Sequence, residues 1–173
     1  MSLKGMMLEQ LAVGRRIVAD GGEVVPAWRI SSGVDDDWLI LTRFDPDRPG
    51  QRDRATAIIK HFMALELARS FSLMAKTWID PVGTRAGVEG IEALTVVGVS
   101  RSERLGVMQE IRRNGEVQFG EMQWLSPEQM DPLYWTMLPG RTETISADEI
   151  AEVMSIFGEG ASGDFTAYKL SRV

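Results

Sequence analysis

The 173-residue chain contains no cysteine and a single histidine. Without cysteine there is no disulfide, no thiolate metal ligand and no cysteine nucleophile. That absence fits a reducing cytosol, and a cytoplasmic location is expected. With one histidine, His61, two-histidine metal sites are excluded, and any Ser-His-Asp site would have to be built around that residue. At helical spacing its neighbours one turn away are Ala57 and Leu65, and no carboxylate stands three or four residues off to orient the ring. His61 therefore reads as a boundary residue making a local hydrogen bond.

A basic surplus is also lacking. Nineteen Lys and Arg face 25 Asp and Glu, for a formal net charge of −6. The arginine-rich stretches are laced with carboxylates, as in Arg43-Phe44-Asp45-Pro46-Asp47-Arg48. Nucleic-acid domains usually present a basic face, so no nucleic-acid partner is expected. No apolar run approaches the roughly 20 residues of a membrane-spanning helix, and no charged-then-apolar leader opens the chain, so no membrane partner is expected either. Met1-Ser2-Leu3 is read as a remnant ahead of the natural start and set aside. No internal repeat or low-complexity tract is found.

What is present is an ordinary globular composition, 44% hydrophobic and 25% charged, long enough for one well-buried core and read as a single domain over residues 1–173. The most legible stretch is 91–125. Ile91–Val99 and Leu105–Ile111 flank the polar Arg101-Ser102-Glu103-Arg104, and Val117–Leu125 follows Asn114-Gly115. Asn-Gly favours a two-residue type I′ hairpin turn. The predicted three-stranded meander pairs Arg113 with Glu116, Ile111 with Gln118, Val107 with Met122 and Leu105 with Trp124. Its core face would be Leu94, Val96, Leu105, Val107, Ile111, Met122 and Trp124, with Glu110, Arg112 and Glu121 facing water.

Elsewhere, Leu8–Val18 predicts a helix stopped by Asp20-Gly21-Gly22. Glu23–Ile30, which holds Pro26, predicts an edge strand. Trp38–Phe44 predicts an interior strand, with Trp38, Ile40, Thr42 and Phe44 on one face and Leu39 and Leu41 on the other. Arg52–Lys76 contains neither Gly nor Pro and is apolar nearly all round, which predicts a long central helix buried on most sides. Pro81–Gly90 predicts a mobile loop. Ser146-x-x-Glu149 is a capping box opening a short helix that runs to Gly158. Ala161–Ser171 is expected to dock as a tail.

The expected fold is α+β, a mainly antiparallel sheet packed on the long helix, in the order α-ββ-α-βββ-α. That order resembles the profilin-like and roadblock-type folds; it is a likeness of element order, carried by no sequence motif.

Candidate chemistry is sparse. Gly158-Glu159-Gly160-Ala161-Ser162-Gly163 matches G-x-G-x-x-G, but a helix precedes it and only ten residues follow, so it reads as a helix stop. Asp35, Asp36 and Asp37, with Asp45 and Asp47, lack the alternating ligand pattern of a calcium loop and read as solvated. No metal and no cofactor are expected. Glu66 and Arg69, at i and i+3 on the predicted long helix, are the best polar pair, read first as a structural ion pair and second, with Tyr134, as ligand contacts. The apolar, proline-flanked segment Leu133–Leu138 either covers the sheet or presents a sticky surface. Five tryptophans and ten methionines are read mainly as core.

No catalytic motif is found. The leading expectation is a non-enzymatic binding or assembly module that homodimerises through surplus apolar surface, with a protein partner or small apolar ligand. The alternative is a small-molecule-binding protein or enzyme with a pocket between the long helix and the meander.

Overall fold

The computed structural model describes residues 1–34, 36–43, 50–79, 90–140, 144–157, 161–162 and 165–171. It is an α+β fold in which every strand pairing is antiparallel. In chain order the elements are α1 (Leu3–Ala19), β1 (Ala27–Ser31), β2 (Asp37–Thr42), α2 (Gln51–Leu65), β3 (Ser70–Ile79), β4 (Ile91–Ser100), β5 (Arg104–Asn114) and β6 (Glu116–Leu125). Two 3₁₀ turns (Pro127–Gln129 and Pro132–Thr136), α3 (Ala147–Phe157), the two-residue β7 (Ala161–Ser162) and β8 (Phe165–Leu170) complete it. The strands form one sheet ordered β6-β5-β4-β3-β1-β2-β8-β7.

The sheet is apolar on both faces. On one face α1 buries Met6, Met7, Leu11 and Val18 against Ala27, Met74, Leu94, Val96, Val107 and Ile111. On the other, α2, α3 and the 3₁₀ segment pack on Trp28, Ile30, Ile40, Phe71, Leu73, Val97 and Phe165. Aromatic rings tie this second layer together. Trp38 meets Phe62 at 5.3 Å, Phe62 meets Phe157 at 4.8 Å, and Phe157 meets Phe165 at 5.6 Å.

The long helix over 52–76 is overturned, and with it the order α-ββ-α-βββ-α and its likeness to profilin-like and roadblock-type folds. α2 stops at Leu65, and Phe71, Leu73 and Met74 belong to β3. The stop is a Schellman motif: Ala68 N–H donates to the Met63 carbonyl, Leu67 N–H to that of Ala64, and Leu67 adopts a left-handed φ of 47°. Leucine holds a position that glycine usually fills, so the sequence carries no conventional stop there. Apolar residues on all sides of the segment record two elements, a helix and a strand, each buried on its own.

β1 is not an edge strand but lies between β2 and β3. Leu3 is buried and Ser2 caps α1 by accepting from Gly5 N–H, so Met1-Ser2-Leu3 is part of the fold. The tail supplies β8, which pairs along the whole of β2. β2 itself is interior with the expected alternation, and the capping box at Ser146 and Glu149 is made in both directions. Phe44, residues 81–89, Gly158 and most of the glycine motif lie outside the described residues.

The meander is the outer part of the larger sheet, and its face assignment holds better than its register. Val96 opposes Val107, and Leu94, Val107 and Ile111 are buried on the α1 side as expected. Val107, however, opposes Trp124 rather than Met122, and Arg113 opposes Val117. The turn pivots on Gly115 alone (φ 90°), with Asn114 paired to Glu116, so it is not type I′. The turn shifts the pairing by one residue, and a bulge on β6 between the Gln109–Met122 and Ile111–Phe119 pairs adds the second. Met122 and Trp124 point to the α1 side but stay 44% and 41% exposed.

Val107→Asp should cost more than about 3 kcal/mol through an unpaired buried charge, with Glu110→Ala near neutral, by urea denaturation. At the helix stop, Leu67→Gly should stabilise by up to about 1 kcal/mol by relieving the left-handed strain. Gly33→Ala should destabilise by about 1–3 kcal/mol. Its Cβ would collide with the Leu67 carbonyl oxygen.

Candidate functional site

α1 lies across β3 and β4 and is fastened there by a buried polar link. Gln10 donates from Nε2 to the Ala27 carbonyl at 3.1 Å and accepts the Ser72 hydroxyl on its Oε1. Both side chains are buried, so their hydrogen bonds set where the helix can sit. Fixed there, α1 leaves the β1-β2-β8 part of its face uncovered. Strand register places Leu39, Leu41, Tyr168 and Leu170 together on that strip.

The result is a cleft running beside α1. One end, about 700 Å3, is apolar, with Val13 and Ile17 as its wall and Ala27, Leu39, Leu41 and Met74 on its floor. The other, about 830 Å3, is lined by Leu3, Met6, Ser31, Asp37, Arg69, Ser70, Ser100 and Glu103. Arg29, Leu170 and Ser171 line both, so the two ends adjoin at Arg29. Arg29 Nη1 holds Glu9 at 2.7 Å across the middle, while its buried Nε has no hydrogen-bond partner among the described residues. The lining residues of α1 run from Leu3 to Ile17 at steps of three and four, one helical stripe about 21 Å long.

The predicted site residues are not brought together. Glu66 caps α2 and accepts the Ser32 hydroxyl at 2.7 Å. Arg69 lies beyond the helix, is exposed, and lines the polar end of the cleft. Thus Glu66 and Arg69 do not share a helix face. Tyr134 is on the opposite side of the sheet, 6.4 Å from the Trp28 ring, with Arg52 donating to its hydroxyl at 3.4 Å. It lines a smaller cavity of about 250 Å3 with Trp28, Thr42, Ala55 and Leu73. That cavity lies between α2, the 3₁₀ segment and strands β1 to β3, and no residue of the meander lines it, so it is not the pocket expected between the long helix and the meander.

His61 reaches Glu149 on α3 at 3.7 Å, across the sheet from the serines of the cleft, so no Ser-His pair forms there. Asp37 accepts from Ser32 N–H at 3.1 Å; Asp35, Asp45 and Asp47 lie outside the described residues. Among the described residues, no group of three or more His, Asp or Glu is placed to hold a metal ion, and no helix is long and apolar enough to cross a membrane.

Sequence reading missed the cleft, although its signal was present. Leu39 and Leu41 were assigned a covered face, and the cover proves to be partial. It also missed Glu92, a buried carboxylate at the end of the α1 face. Arg113 donates to it through Nε and Nη2, both at 2.9 Å, and Lys76 stands at 3.4 Å. The hydrogen bonds from Arg113 hold Glu92 below the usual carboxylate range; burial opposes this, and the charges of Arg113 and Lys76 add to the lowering.

No protein-family model, curated protein or solved structure matches the chain.

Because the folded-state pKa of Glu92 is depressed, its stabilisation is complete above the unfolded value of about 4.3 and is lost as pH falls through the folded value. Glu92→Gln should therefore lower the melting temperature at pH 7 and flatten its fall below about pH 4.3. An unchanged acid limb would assign that limb to other carboxylates.

Proposed function

We propose that the chain is a non-enzymatic protein-binding module whose cleft beside α1 accepts an amphipathic helix from a partner protein. One observation carries this reading. Among the described residues, the far face of the sheet is covered by two helices, α2 and α3, and the near face by α1 alone, with Leu39, Leu41 and Tyr168 left beside it. A second helix laid along α1 would complete that layer, the helix-in-groove mode of recognition. The length supports it, since the α1 stripe that walls both ends, about 21 Å, matches some four turns of helix. Arg69, exposed at the polar end, is a partner for a carboxylate on the incoming helix.

Panning a randomised amphipathic-helix library against the full chain, followed by NMR titration of enriched peptides, tests the reading. Shifts are expected at Val13, Ile17, Leu39, Leu41 and Tyr168. Val13→Glu with Tyr168→Glu should weaken binding by about tenfold or more with little change in melting temperature, the two side chains being 46% and 50% exposed. Peptides that map elsewhere, or are indifferent to the double variant, would overturn the proposal. So would an apolar dye that fills the cleft when no helix does, which would favour a small apolar ligand.

A further inference from the structure

The two edges of the sheet are unequal. β7, at one edge, is two residues long, whereas β6, at the other, runs for ten without proline and with its outer backbone edge unpaired among the described residues. A long open edge is a template for another strand, and a closed dimer needs one such edge rather than two.

β6 also has the pattern that pairing with a second copy requires. In a uniform strand, residues at odd separation face opposite sides of the sheet. The β6 bulge inserts one residue at Gly120-Glu121 and reverses the alternation halfway, so Val117, Phe119, Met122 and Trp124 all face the α1 side. The two halves of the strand become related about the 120–121 link. Antiparallel pairing of two copies about that point sets Phe119 against Met122, Val117 against Trp124, and Gln118 against Gln123. Glu116 and Glu121, the only charged residues of the strand, then oppose Leu125 and Gly120 rather than each other.

We infer that the chain forms a two-fold dimer by antiparallel pairing of β6 with β6, giving one continuous sheet with both α1 helices on the same side. The inference stands apart from the cleft, which lies at the other end of the sheet. It gives Met122 and Trp124, exposed in the single chain, an apolar cover. It also replaces the dimer expected through a long helix, because α2 buries Ile58, Ile59, Phe62 and Met63 within its own chain.

Gln118 and Gln123 are exposed, so charges placed there leave the fold intact. Sedimentation velocity of the full chain from about 10 to 500 μM, a range suited to an interface at the small end of the stable class, should show a species of twice 19.2 kDa. Gln118→Glu with Gln123→Glu sets carboxylates against each other twice and should yield monomer, with an unchanged circular dichroism spectrum. Gln118→Glu with Gln123→Lys sets opposite charges together and should keep the dimer. A wild-type monomer throughout the range, or a dimer that both double variants leave equally intact, would overturn the inference.

Discussion

A helix is about 10 Å across, and an eight-stranded sheet is about 34 Å wide. Each face of this sheet is apolar, so the way the chain distributes its few helices decides which surfaces remain available. Two helices and a 3₁₀ segment go to the side of Trp28, Ile40 and Phe71. Among the described residues, the side of Met74, Leu94 and Val107 receives α1 alone, held over β3 and β4 by Gln10. The cleft beside α1 follows from that shortfall of cover, as does the exposure of Met122 and Trp124 on the opposite flank of the same helix. Both candidate surfaces are consequences of one helix spread over a broad face.

How much of this was legible depends on how local each signal is. The β2 alternation, the capping box and the faces of β4 and β5 are set by neighbouring residues, and all three could be read. The division of 51–79 into α2 and β3 turns on a helix stop made by Leu67 in a left-handed conformation. No glycine or proline marks that stop, although the alternation Ser70-Phe71-Ser72-Leu73 was there to suggest a strand. The β6 register depended on a one-residue bulge that alternation cannot show when both halves look regular. β8 was invisible because its partner, β2, lies near the other end of the chain.

The site was harder still. Glu66 and Arg69 were paired on the premise of a continuous helix; the chain turns between them, leaving one as a cap to Ser32 and the other at a cleft mouth. Tyr134 is placed by aromatic contact with Trp28 on the far layer. The cleft residues Leu39 and Leu41 look like any interior strand's second face. Partial cover depends on where α1 comes to rest, and that is decided by Gln10, Ser72 and the Ala27 carbonyl, three groups far apart in sequence.

The position of β8 bears on when the cleft can exist at all. Leu170 pairs with Asp37 and Phe165 with Thr42, so the cleft floor joins early and late stretches of the described chain. Contacts of such high sequence separation form slowly and only after the intervening chain has been made. During synthesis α1 and the β3–β6 meander can assemble on the emerging polypeptide, whereas the β1-β2-β8 strip waits for residues 165–170 to leave the ribosome. Termination before β8 therefore strips Tyr168 and Leu170 from the cleft and bares the backbone edge of β2, while Ala27, Leu39, Leu41 and Met74 remain on its floor.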